Sequence, residues 1–348
     1  MISRQQQTGG EGATLAQAGN DIVIHQGPNI DQIREVALDV FRANFLELRG
    51  VAEEVALGRA EKVTREYLEA LQNRSPDALN STGDPDVVRS IVNVQTEFAC
   101  SGEEDLGQIL VDLLVERSVQ ETRGIEAVVL NEAIKAAPKL TVDQRRAVAA
   151  CFLTRYTRYT GPKDLDAYYE MNVQRSLVPF SRELPKRASA YQHIDYVGAG
   201  SVGIGEASFL DAILSGAAGY FTRGFLPADV PEALTALLGD PGIFQGSLRG
   251  EGKIQLAAMC NDDVVDVVKA IGREDLKAPM SNLLGIGRMT PEEILDEMEA
   301  RAPGMREMAD AWDGSSLKNL TLTTVGIAIG HGYWRRTVGE VAPLSIWL

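Results

Sequence analysis

A chain of 348 residues, 45% hydrophobic and 24% charged, is long enough for two or three domains, or for one large domain with an appendage, and needs no metal or disulfide staple to build a core. Its net charge of -15 repels phosphate, which disfavours nucleic acid as a partner and leaves Arg335 and Arg336 as the strongest candidates for a local basic patch. The three cysteines, Cys100, Cys151 and Cys260, are far apart and form no CxxC pair, so they read as small core side chains in a reducing, cytoplasmic compartment, not as a zinc knuckle or redox motif.

The first residues, Met1 to Gln7, lack the apolar core of a signal peptide. Residues 1–29 are polar and glycine-rich, apart from the β-branched run Ile22-Val23-Ile24 that follows the turn residues Gly19-Asn20. This segment reads as a β-arch or hairpin. An isolated two-stranded unit is marginal in water, so its stability would come from pairing with copies in other subunits. From Asp31 onward, Ile33, Val36, Val40, Phe41, Phe45, Leu48, Ala52 and Val55 recur at three- and four-residue steps, and Val63, Tyr67, Leu68 and Leu71 continue the stripe. Residues 30–80 are expected to hold one long helix, or two helices broken at Gly50 or Gly58, plus a polar linker over 73–83.

A helical bundle is expected over 84–178. Asp84-Pro85 opens its first helix, with Asp at the N-cap and Pro at the first helical position, and Ser101-Gly102 closes it. Glu103-Glu104-Asp105 suits the positive end of the next helix. A third helix runs from about Ile125 to Ala136. Thr141 and Gln144 form a capping box for a fourth, and Asp164 to Leu177 reads as a further helix. The last expected region, 180–348, is α with some β. Residues 180–205 read as irregular, helices fall near 206–218, 229–238 and 261–271, and strands are possible within 241–258. The apolar stretch 196–221 is interrupted by Glu206, Asp211 and glycines, so it does not read as a membrane span. Thr290-Pro291-Glu292-Glu293 is a full N-terminal cap signal. The pattern L-x-L-T-x-x-G-x-x-I at 320–329 resembles the last strand and closing helix of winged-helix folds. The stretch before it, 292–313, is acidic, which suits protein contact better than DNA contact. Trp312, Trp334 and Trp347 all lie near this end, which suggests a packed subdomain or an interface.

Few residues carry a chemical signal. Gly198, Gly200 and Gly203 spell GxGxxG, the glycine pattern that brings a pyrophosphate close to a helix N-terminus in dinucleotide folds. The residues before it are mixed, not a continuous apolar strand, and no acidic residue ends a second strand at the expected distance. A nucleotide-dependent enzyme using these glycines therefore stands only as the alternative reading, with a DNA-binding regulator as a third. Ser315 and Lys318 match SxxK without its partner motifs. His25, His193 and His331 show no metal spacing, and Asp262, Asp263 and Asp266 suit a helix first turn, not a calcium loop. No catalytic residue, cofactor or metal is assigned.

The segment from Asp84-Pro85-Asp86 to Tyr156, with Glu103-Glu104-Asp105-Leu106 through Leu114 and Ala137-Pro138-Lys139-Leu140-Thr141, resembles bacterial proteins of the Abi-alpha abortive-infection type. The tail Leu320 to Gly326 is similar to that group's C-terminal pattern, and the Gln/Gly/Asn-rich start resembles short leaders on other bacterial defence proteins. This resemblance implies phage defence or its regulation, without an enzymatic mechanism. The expectation is a mainly α protein: a helical bundle with a short N-terminal β-arch or hairpin and a C-terminal winged-helix-like α+β subdomain. Its function is expected to be non-enzymatic and homo-oligomeric, with Ile22, Val23 and Ile24 pairing between subunits and an unknown protein as further partner.

Overall fold

In the computed structural model, which describes residues 30–44, 51–250 and 252–348, the apolar periods become helices. The expected β-arch of residues 1–29 lies outside the described residues. The stripe that follows is divided between α1 (Ile30–Asn44) and α2 (Val51–Arg74). Gly58 sits within α2 and does not break it. The polar linker is a 3-10 helix, Pro76–Gly83, tied to the bundle where Ser81 Oγ donates to the Ser118 carbonyl at 2.7 Å.

Local chemistry sets the next boundaries. The Asp84 carboxylate accepts from the amides of Asp86 (2.9 Å) and Val87 (3.3 Å), and Gly102 ends α3 (Pro85–Ser101) in the left-handed region at φ 62°. Then come α4 (Glu104–Val119), α5 (Ile125–Ala136) and α6 (Val142–Arg155). Gln144 Oε1 accepts from the Thr141 amide at 3.0 Å, one arm of the capping box read from the sequence. Val94, Phe98, Ile109, Leu110, Leu114 and Phe152 are almost fully buried where these helices meet. Each such side chain contributes ~1.5–3 kcal/mol relative to exposure. A polar cluster lies at their edge, with Arg117 buried and Asp86 partly exposed. Asp86 accepts from Arg117 and from Asn131, both at 2.8 Å, while Arg117 Nε and Ser90 Oγ donate to Asn131 Oδ1.

The helix expected over Asp164–Leu177 is wound in two ways. A short α7 (Leu165–Tyr168) runs into a π-helix, Tyr169–Leu177. Residues 180–205, read as irregular, contain α8 (Ala188–Val197). Only Tyr191 and Ile194 of α8 are buried, too few to print a helical period on the sequence. Beyond it come β1 (Gly200–Val202), α9 (Phe209–Ala217) and a single turn, α10 (Glu232–Thr235), where a longer helix was expected. The strands possible within 241–258 are β2 (Phe244–Gly246) and β3 (Ile254–Leu256), an antiparallel pair. The remaining elements are α11 (Asn261–Ala270), α12 (Lys277–Leu283), α13 (Pro291–Arg301), α14 (Met305–Asp313), β4 (Leu320–Leu322) and α15 (Thr324–Val338).

The fold is thus mainly α with two small antiparallel strand pairs. Among the described residues no helix is long and apolar enough to cross a membrane. The strand and helix read as a winged-helix-like end are present, but their partners are distant. β4 pairs with β1, and α15 packs against α6, α4 and α5, so the end of the chain is built into the bundle. Two glycines permit this. A Cβ on Gly326 would meet the Ala199 carbonyl oxygen at 1.8 Å, and one on Gly330 would meet Phe152 Cβ at 2.8 Å. Residues 222–288 form a smaller unit with its own core of Phe225, Leu234, Phe244, Leu256, Val264 and Met280.

Candidate functional site

The residues singled out by sequence motif are used for structure. Gly198 ends α8 at φ 83°, Gly200 pairs with Leu322 in β1, and the Gly203 amide donates to the Asn319 carbonyl at 3.1 Å. These glycines turn a helix into a strand, the reverse of the strand-to-helix turn of a dinucleotide site. The nearby N-terminus of α15 is already filled. Thr323 Oγ1 accepts from the Gly326 amide at 3.2 Å and donates to the Gly198 carbonyl at 2.6 Å, and the Thr323 amide donates to Ala199. The glycine loop's own carbonyls therefore occupy the space a phosphate would need.

Lys318 does not reach Ser315. Its ammonium pairs with Glu206 at 3.0 Å, while Ser315 Oγ accepts from the Leu317 amide and donates to Tyr191 Oη at 3.1 Å. His193 stacks on Tyr196 and sits 3.1 Å from Gln144 Oε1. His331 is buried among Phe152, Trp334 and Trp347, with Nε2 2.8 Å from the Ala342 carbonyl, and burial lowers its pKa to about 4. His25 lies outside the described residues. Among the described residues no cluster of three or more His, Cys, Asp or Glu side chains is arranged to hold a metal ion.

Two expectations are corrected. Cys100 is exposed and does not join the core, because it falls on the outer face of α3. Cys151 and Cys260 are buried as expected, and burial pushes the Cys151 thiol up to about 12. Arg335 and Arg336 do not form a basic patch. Arg335 pairs with Glu116, and Arg336 pairs with Asp105 at 2.5 Å, so their charge is spent on joining α15 to α4. Asp262 and Asp263 lie in the first turn of α11 as expected, Asp266 lies one turn on, and all three approach Arg158 at 3.3–3.8 Å.

An apolar concavity lies where α1 crosses α3. Ile33, Ala37, Leu38 and Phe41 turn inward on α1, and Val36 stands beside them 58% exposed. Ile33, Val36 and Ala37 from α1, Val88 and Ile91 from α3, and the turn Thr82-Gly83 line an apolar groove of about 210 Å³. Val36 was read as part of a single core stripe. The buried set on α1 is instead Ile33, Ala37, Leu38 and Phe41, which rotates Val36 toward solvent. Residues Ile22, Val23 and Ile24 lie outside the described residues.

No curated protein and no solved structure matches the chain. One family model, described only as ":-like", matches residues 27–348, from just before α1 to the last residue. The chain belongs to that family.

Proposed function

We propose that this protein acts without catalysis of its own, by self-association and protein contact, in bacterial phage defence or its regulation. The defence role rests on the resemblance of residues 84–156 and 320–326 to Abi-alpha-type proteins. Self-association rests on the groove between α1 and α3, an apolar surface beside an exposed valine. In this reading Ile22, Val23 and Ile24 pair between subunits, and the groove of one copy receives apolar side chains from that segment of another. The tether is short. Six residues from Ile24 to Ile30 reach at most ~20 Å.

Light scattering on the full chain, on residues 28–348 and on Val36→Asp tests the assembly. Both changes are expected to lower the mass, and Val36→Asp costs little stability because the side chain is already exposed. An unchanged mass on removing residues 1–27 rejects the pairing of the segment. A lower mass for that truncation alone, with Val36→Asp unchanged, keeps the self-association and removes the groove from it. Plating of phage on cells carrying the full chain or the truncation tests the defence role, which predicts protection by the full chain only.

A further inference from the structure

The aromatic side chains at the end of the chain were expected to form a packed subdomain or an interface, and they also wall a cleft. It lies between residues 156–161 just past α6, the π-helix, and the end of α15 with the segment that follows it, and it holds about 440 Å³, the size class of small-ligand sites. Tyr156, Tyr159, Trp334 and Trp347 line it. Both indole N–H groups are satisfied within the wall. Trp347 donates to the Tyr156 carbonyl at 2.7 Å, and Trp334 donates to Ser176 Oγ at 3.2 Å. Phe152 and His331 pack edge-on or tilted against the two indoles and hold them in place. The wall is therefore rigid and offers aromatic surface, not spare donors.

The π-helix supplies a polar side, joined to the wall where Trp334 meets Ser176. Its hydrogen bonds span five residues, as in the Val178 amide donating to the Val173 carbonyl, and Ser176 Oγ likewise reaches the Met171 carbonyl at 3.0 Å. This wider winding places Met171, Asn172, Arg175 and Ser176 together on the cleft. Such windings concentrate at functional sites. Arg175 is exposed and donates to the Val338 carbonyl at 2.6 Å, and among the described residues no carboxylate lies within 4.0 Å of its guanidinium. Arg158, which also lines the cleft, is by contrast surrounded by three aspartates. Glu340 also lines the cleft but forms no ion pair with Arg175, so this guanidinium, beside an aromatic wall, is suited to a planar ligand bearing negative charge.

We infer that this cleft binds a nucleoside monophosphate or a closely similar heteroaromatic anion, with the ring against the tyrosine and tryptophan side chains and the phosphate at Arg175. The assignment is independent of the self-association proposed above and uses none of the glycines at 198–203.

Calorimetric titration of the full chain with AMP and GMP is the test, with adenosine and inorganic phosphate as separate arms. Arg175→Gln is expected to weaken AMP at least tenfold. Arg123→Gln, the same charge change on an exposed residue between α4 and α5, is expected to leave it unaltered. Met171→Trp fills the cleft from a side chain that is 42% exposed, so it should abolish binding without unfolding the protein. Tryptophan fluorescence should respond to AMP, because Trp334 and Trp347 form the wall. The inference is overturned if neither AMP nor GMP binds, if Arg175→Gln and Met171→Trp leave their affinity unchanged, or if phosphate or adenosine alone binds as tightly as AMP.

Discussion

The bundle and the 222–288 unit reach stability by different routes. In the bundle, long helices bury one large core with a small satellite of Phe41, Ala56, Ala60 and Ala99, and α15 enters from the far end of the chain to complete it. The smaller unit has short elements, a three-residue strand pair and a separate apolar cluster. It is held to the rest by Met259 and Leu248, which pack on the main core, and by polar contacts. Arg249 binds Glu297 with both nitrogens (2.6 and 3.1 Å), Gln255 donates to the Gly219 carbonyl, and Arg158 meets the acids of α11. Short elements can therefore enclose a small core of their own, while the large core needs helices drawn from both ends of the described chain.

The sharpest way to break this comparison is to remove one core side chain from each region. Phe152→Ala should destabilise the bundle by about 4 kcal/mol in chemical denaturation, and Leu234→Ala should destabilise the smaller unit by about 3 kcal/mol. Two transitions, each moved by only one of the variants, are the expected outcome. A single transition moved by both would show one cooperative unit. Next in size is the polar cluster around Asp86. Arg117 and Asn131 hold the Asp86 carboxyl down at about 2, against an ordinary 3.8. A carboxyl depressed on folding contributes stability that is complete above its unfolded value and is lost as pH falls through its folded one, so this contribution should fade between about pH 4 and pH 2. Asp86→Asn should cost about 3 kcal/mol at neutral pH, because Arg117 is left buried without its charge partner, and should flatten that acid limb.

His331 gives the opposite end of the same argument. Its pKa falls from 6.5 to about 4 on folding, so the unfolded chain binds the proton first. Stability should therefore decline by up to about 3 kcal/mol as pH drops from about 6.5 to 4, and His331→Gln should remove that slope in pH-dependent unfolding. Smaller again is the contact between the regions. Glu297→Gln loses the paired charge on Arg249 and should cost about 2 kcal/mol, bringing the two unfolding transitions further apart. Thr290→Ala, which deletes the cap of α13, should cost about 1 kcal/mol and leave their separation unchanged.

Legibility in the sequence followed the range of the interactions. The starts of α3, α6 and α13 were readable because side chains and amides two or three residues apart satisfy one another: Asp84 and Thr290 accept from amides that follow them, and Gln144 accepts from the Thr141 amide. α8 was missed because its contacts are few, and the turn at α10 was overestimated as a helix because its apolar side chains serve a small local core. The candidate sites were less legible still. GxGxxG was visible but proved to be a helix-to-strand turn, whereas Arg175 and Asn172 carried no motif at all.

The positions of most helices, several termini and the mainly α class follow from the sequence alone, since caps and apolar periods act within a few residues. Only the tertiary structure decided that β4 finds β1, that Gly330 lets α15 lie on Phe152, and that a π-helix and two indoles line one cleft. Those arrangements depend on surfaces brought together from distant parts of the chain, and no local pattern encodes which distant surface will fit.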